Sequence, residues 1–169
     1  GTVLTREQHT TPFLTLTGTA GNDTIQGGNA YGESFSGLEG SDTLYGNGGD
    51  DSLTGGLGTD QLYGGEGDDT YFVNQGDGQD TITDTYGNNR LIFGPGLLDL
   101  LSISGGYGQD VVYSFGTGDS VRIKAGSSSY MTLKFITNGT ASADTMNGSS
   151  YIDMLYGLDG NDALYGNVG

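Results

Sequence analysis

GLEGSDTLYGNGGDDSLTGGLGTDQLYGGEGDDTYF, Gly37–Phe72, is four nonapeptides written end to end. Aligned as GLEGSDTLY, GNGGDDSLT, GGLGTDQLY and GGEGDDTYF, they keep Gly in the first column. They keep Asp in the sixth (Asp42, Asp51, Asp60, Asp69) and a large apolar residue in the eighth (Leu44, Leu53, Leu62, Tyr71). Toward the N-terminus the frame runs back through a ten-residue variant, GGNAYGESFS (27–36), to GTAGNDTIQ (18–26). Toward the C-terminus Val73 and Asn74 interrupt it, after which it resumes as QGDGQDTIT (75–83) and fades through DTYGNNRLI (84–92). It returns as GTASADTMN (139–147), GSSYIDMLY (148–156) and GLDGNDALY (157–165). The sixth column therefore also holds Asp23, Asp80, Asp144, Asp153 and Asp162, with Glu33 and Asn89 in the two irregular units. The eighth adds Ile25, Phe35, Ile82, Leu91, Met146, Leu155 and Leu164.

Each column has a physical reading. Gly in columns one, two and four allows positive φ, so six residues can close a tight, carbonyl-rich turn. The remaining three residues make one rung of a ladder, with column eight on one face and columns seven and nine on the other. Two nonapeptides give a coil of 18 residues with two turns and two short strands. No coil buries its apolar residue alone, so alternate units must stack. The pattern predicts an all-β parallel roll whose narrow core is filled by column eight.

Stacking also superposes the acids. One edge would carry Asp23, Asp42, Asp60 and Asp80, and the other Glu33, Asp51, Asp69 and Asn89. Carboxylates about 4.8 Å apart repel strongly, so the ladder calls for a cation between rungs. The turns offer carboxylates and carbonyls but no Cys or His, which excludes Zn and Cu on ligand type. Several hard oxygens in an irregular cage suit Ca²⁺ rather than Mg²⁺. A single GxGxD reads equally well as a solvated turn; the periodic ladder is what favours the cation.

The nonapeptide GGxGxDxUx (U large and apolar) resembles the repeat of RTX proteins, the hemolysin-type calcium-binding repeats. The likeness spans 18–83 and 139–169. It implies a right-handed, Ca²⁺-stabilised β-solenoid with each ion between stacked turns, held by sixth-column carboxylates and by carbonyls of columns one to four. Here those carbonyls belong to Gly18, Gly37, Gly46, Gly55 and Gly64 in column one. In column three they belong to Glu39, Gly48, Leu57 and Glu66. The implied carboxylate pairs are Asp23/Asp42, Asp42/Asp60, Asp60/Asp80 and Asp51/Asp69, with Glu33/Asp51, Asp69/Asn89 and Asp144/Asp162 beside them. Ser142 and Tyr151 replace the fourth-column Gly and weaken the last block. The resemblance further implies bacterial export, usually by a type I system, with folding in external calcium. The chain would then be a structural or spacer module of a larger secreted or surface protein such as a toxin, adhesin or exoenzyme.

Composition agrees. Of 169 residues 34 are Gly, only 33% are hydrophobic, and 21 acids against five Lys and Arg give a formal charge of −16. Such a chain packs no helical core and, without metal, has little reason to fold. The acidity argues against nucleic acid or an anionic membrane as partner, and no apolar run approaches a membrane span.

Between the blocks, 93–138 changes texture. LLSIS, DVVYSF, SVRIK and MTLKFI, separated by Gly- and Ser-rich links, predict antiparallel hairpins that cap the roll. GGYGQDVVY (105–113) also fits the nonapeptide formula, which leaves Asp110 as either a further calcium ligand or a hairpin residue. The order of units after Gly139 follows that after Gly18, at offsets of 121 and then 120 residues. That order points to a tandem unit of about 120 residues, a roll plus its hairpin closure; the alternative is one repeat array split by an insertion. The expected organisation is a leader and strand (1–17), a roll (18–92), a cap (93–138) and a second block (139–169) that ends inside a repeat, as a piece of a longer protein would.

No coherent catalytic set emerges, and the expectation is a non-enzyme. His9 stands alone in a polar leader, GxSxG and HExxH are missing, and Asp50/Asp51 and Asp68/Asp69 read as turn residues rather than a glycosidase pair. Tyr45 and Tyr63 fall on one exterior strip, with Tyr156 and Tyr165 in the later block. That strip is either a cross-strand ladder or a platform for a glycan or protein partner.

Overall fold

The computed structural model describes residues 3–5, 14–95, 97, 101–105, 109–116, 118–127, 131–138, 145–147, 152–156 and 163–165. Every regular element among them is a strand. In chain order these are β1 (Val3–Thr5), β2 (Leu14–Thr17), β3 (Thr24–Gln26), β4 (Glu33–Gly40), β5 (Thr43–Gly48) and β6 (Ser52–Gly58). There follow β7 (Gln61–Glu66), β8 (Thr70–Val73), β9 (Gln79–Ile82), β10 (Asn89–Phe93), β11 (Leu101–Gly105) and β12 (Val111–Phe115). The last are β13 (Ser120–Ile123), β14 (Met131–Asn138), β15 (Thr145–Asn147), β16 (Ile152–Tyr156) and β17 (Ala163–Tyr165).

From β1 to β10 the chain changes sheet at every turn. One sheet runs β1-β3-β5-β7-β9-β13-β12-β11, the other β16-β14-β10-β8-β6-β4-β2, and β15 and β17 pair separately. Within the repeats every pairing is parallel and in column register. Ile25, Leu44, Leu62 and Ile82 face one another in sequence on the first sheet. Leu16, Phe35, Leu53, Tyr71 and Leu91 do so on the second. Column eight from Ile25 to Leu91 is at most 1% exposed, which makes it the core of a solenoid of stacked coils. Burying each such side chain contributes about 1.5–3 kcal/mol. The interruption at Val73–Asn74 is absorbed in one coil, whose rung-to-rung step from Tyr71 to Leu91 is 20 residues instead of 18.

Two details differ from the pattern read above. The strands exceed three residues because the turns themselves stack: Glu39 faces Leu57 and Asn47 faces Gly65, so identical turns pair their peptide groups as well. Positive φ belongs to columns two and four, where even Leu38 (77°) and Asn47 (73°) adopt it and Gly58 reaches 144°. First-column Gly lies outside that region. A Cβ on Gly37 would collide with the Asp42 carboxylate and the Gly55 carbonyl, so Gly is required there for space.

The segment after the roll divides. β11, β12 and β13 form an antiparallel meander, and β13 adds in parallel to β9, continuing column eight with Ile82 opposite Ile123. MTLKFI, expected in a hairpin, instead forms β14, which lies parallel to β10 on one side and to β16 on the other. The physical reason is the free edge of β10, which a strand arriving in the solenoid's own direction can satisfy. The later registers repeat the earlier ones. Phe135 faces Asp153 as Leu14 faces Glu33, and Met146 faces Leu164 as Ile25 faces Leu44.

Candidate metal centre

The sixth-column acids sit where each turn enters its rung, and the parallel register stacks them. On one edge the Asp23 N–H donates to Asp42 Oδ1 at 2.7 Å, Asp42 N–H to Asp60 Oδ1 at 2.8 Å, and Asp60 N–H to Asp80 Oδ1 at 3.1 Å. On the other, Glu33 N–H donates to Asp51 Oδ1 at 2.6 Å. Asp51 N–H reaches Asp69 Oδ1, and Asp69 N–H reaches Asn89 Oδ1, both at 2.8 Å. All eight side chains are buried, none more than 4% exposed. Both ladders named from the repeat are therefore continuous.

In Asp42, Asp51, Asp60 and Asp69 one oxygen is thus occupied by the rung before it. The second points toward the first-column glycine of its own turn. For Asp42, Asp60 and Asp69, Oδ2 is buried and no donor reaches it. At Asp42 the Gly55 carbonyl of the next coil faces the same place, beside the Cβ position of Gly37; the Gly37 and Gly64 carbonyls stand likewise next to the Asp23 and Asp51 carboxylates, beside the Cβ positions of Gly18 and Gly46. A buried anionic oxygen beside a carbonyl, with no donor between them, is the donor set of a hard cation. Among the described residues no three acidic or imidazole side chains converge on one point, so the remaining ligands of such a cation are main-chain oxygens. In column three the Glu66 carbonyl already accepts the Gly49 N–H at 2.9 Å, leaving it one lone pair.

Electrostatics express the same conflict. Burial, with the Asp42 and Asp77 charges behind it, pushes Asp60 up to about 6. Burial and the adjacent Asp60 push Asp80 up to about 8. Asp42 and Asp69 are raised as well, chiefly by burial.

The neighbouring acids behave otherwise. Asp50 and Asp68, in column five, are exposed and accept the main-chain N–H of Asp68 and Asn88, both at 2.8 Å. Each is thus exposed and bonded to the main chain where its neighbour, Asp51 or Asp69, is buried. Asp110 lies in the meander, where Lys124 Nζ (3.1 Å) and Arg122 (3.4 Å) pair with it and the Ala125 N–H donates at 2.9 Å. Tyr45 and Tyr63 stack with ring centroids 4.8 Å apart and planes at 12°, covering each other's faces as a cross-strand ladder does. Asp153 is placed in β16, opposite Phe135. Asp144, Asp162, Ser142, Tyr151 and His9 lie outside the described residues.

Three buried acids escaped the column reading. Asp77 accepts the Asn74 N–H at 2.6 Å, and Asp119 accepts the Gly76 N–H at 2.9 Å. The Tyr71 hydroxyl donates to Asp84 at 2.6 Å. Asp77 and Asp84 were visible only as acids in the wrong columns. Asp119 lies outside the repeats, and only the fold brings it to the closing coil.

Parallel stacked coils with a buried acid at each turn define an acidic β-solenoid repeat. The family model for the RTX calcium-binding nonapeptide repeat (4 copies) matches residues 15–30, 36–71 and 138–169, and the chain belongs to that calcium-binding repeat family. A comparison with curated proteins found no match. Among the described residues no helix is long and apolar enough to cross a membrane.

Proposed function

We propose that the chain is a module that folds when Ca²⁺ enters between its coils, and that serves as a stiff spacer in a larger secreted or surface-attached protein. The ions would lie between Asp23, Asp42, Asp60 and Asp80 on one edge and between Glu33, Asp51 and Asp69 on the other. Carbonyls from the turns, including those of Gly37, Gly55 and Gly64, would complete each cage. The observation that carries this reading is the buried, donorless oxygen on Asp42, Asp60 and Asp69. An anion in that setting destabilises the coil unless a cation sits against it. The donors are carboxylate and carbonyl oxygens alone, which supports Ca²⁺ over transition metals.

The ion would supply positive charge and coordination, while the chain supplies the register. At about 100 times its dissociation constant each site adds about 2.7 kcal/mol of stability, and several sites decide whether the roll exists. A chain exported unfolded from a calcium-poor compartment would then fold outside, as the repeat family supports. The recurrence of the Leu14–Glu33 register at Phe135–Asp153 supports a tandem unit of about 120 residues. Circular dichroism during titration tests the reading. Ca²⁺ should build the β signal from a disordered baseline, and Mg²⁺ at equal concentration should not; a chelated sample with full β signal would defeat the proposal.

A further inference from the structure

The second acid ladder ends differently from the way it runs. Column six passes from Asp51 and Asp69 to Asn89 and loses a carboxylate. In the same coil column one passes from Gly46 and Gly64 to Asp84 and gains one. The fold brings the two exchanges to one place. Asp69 Oδ2, the Tyr71 hydroxyl and Asp84 Oδ2 all crowd the position that a Cβ on Gly64 would take.

Asp84 is held there from three directions. Its Oδ2 accepts the Tyr71 hydroxyl at 2.6 Å, its Oδ1 accepts the Tyr86 N–H at 3.2 Å, and its own N–H donates to Ser127 Oγ at 2.8 Å. Asp84 is 2% exposed and Asp69 fully buried. Asp69 Oδ2 receives no hydrogen bond although it faces this cluster. Tyr71 is also the one column-eight residue of the roll with a hydroxyl, and that hydroxyl serves Asp84 rather than the core. Two buried carboxylates side by side must share either a proton or a cation.

We infer that Asp84 takes over from Asn89 as the second anionic ligand of the last calcium site on this edge. The site pairs Asp69 with Asp84, and the Tyr71 hydroxyl positions the Asp84 carboxylate. Its charge equals that of the regular Asp51/Asp69 step, so the coil ends without a weakened site. This inference rests on the calcium reading above, and the experiment separates the two.

Calcium stoichiometry and affinity are measured by titration calorimetry on the full chain, on Asp84→Asn, and on the double variant Asp84→Asn/Asn89→Asp. The single variant should lose one ion, or bind it about tenfold more weakly, because the charge count of a calcium cage sets its affinity. The double variant returns the carboxylate to column six and should restore the ion. Unchanged stoichiometry and affinity in Asp84→Asn would overturn the inference in favour of a shared proton, with the calcium roll intact. If Asp84→Asn fails to fold in calcium, rescue by Asn89→Asp supports the inference, and its failure overturns it. A parent chain that binds no Ca²⁺ removes the general reading and this one with it.

Discussion

Asp60 and Asp110 occupy the same place in nearly the same words, GGLGTDQLY and GGYGQDVVY. In the roll, Asp60 is buried against another carboxylate and pushed up to about 6. In the meander, the Ala125 N–H first and Lys124 next hold Asp110 below the usual carboxylate range. Direction of the chain makes the difference. After Asp60 the next coil arrives in parallel and superposes Asp80. After Asp110 the chain turns back on itself and superposes Arg122 and Lys124. Two of only five basic residues in the chain are placed there. The motif therefore brings carboxylates together only where it is stacked, and where it is not, the chain provides its own cations.

Gly37→Ala and Gly118→Ala test that contrast most severely. A Cβ at Gly37 meets both the Asp42 carboxylate and the Gly55 carbonyl, so it should disrupt packing and the proposed cation cage together. Overpacking of this kind costs about 1–3 kcal/mol before any loss of bound ion. Gly118 in the meander has φ of 94° and nothing near its Cβ position. Its replacement should cost only the left-handed backbone, about 1–2 kcal/mol. Thermal denaturation in saturating calcium should rank them so, and only Gly37→Ala should shift the calcium midpoint.

Asp60→Asn against Asp110→Asn isolates charge from shape. Asparagine keeps the Oδ1 that accepts the Asp42 N–H, so the ladder survives while one anionic ligand is lost. The calcium midpoint for folding should rise about tenfold, the equivalent of about 1.4 kcal/mol. Asp110→Asn should leave that midpoint where it is. A parallel shift in both variants would mean that Asp110 shares the role of the ladder acids.

How much of this was open to reading depended on the range of the interaction. Column eight and column six need only the neighbouring coil, so their repetition announced the core, the register and both acid ladders. The first-column Gly was legible as a requirement, but its cause was not, because space at Gly37 is set by Gly55 in another coil. Asp84 and Asp119 were opaque for the same reason on a larger scale. Ser127 and Gly76, which fix them, each lie 43 residues away. MTLKFI alternates like a hairpin strand, and nothing local says that the free edge of β10 will receive it in parallel.

Acid separates the two regions by sign. Asp60, at about 6, and Asp80, at about 8, are raised by burial, so the calcium-free roll binds protons more tightly than the unfolded chain does. Their favourable contribution to folding is complete below the ordinary carboxylate range and is lost as pH rises through 6 and then 8. Asp110 is lowered, so its contribution stands above that range and disappears on acidification. In chelator the roll should therefore show more β signal by circular dichroism near pH 4.5 than near pH 8.5. With calcium the order reverses, because protons compete for the same oxygens. For an ion entering a coil that its neighbours already hold folded, a single group titrating at about 8 weakens apparent calcium affinity about threefold between pH 8.5 and 7.5. Calorimetry in buffers of different ionisation enthalpy should detect the proton released as each such ion binds. Calcium affinity flat across that interval would show that Asp80 is ionised in the free coil, and that burial alone does not hold its proton.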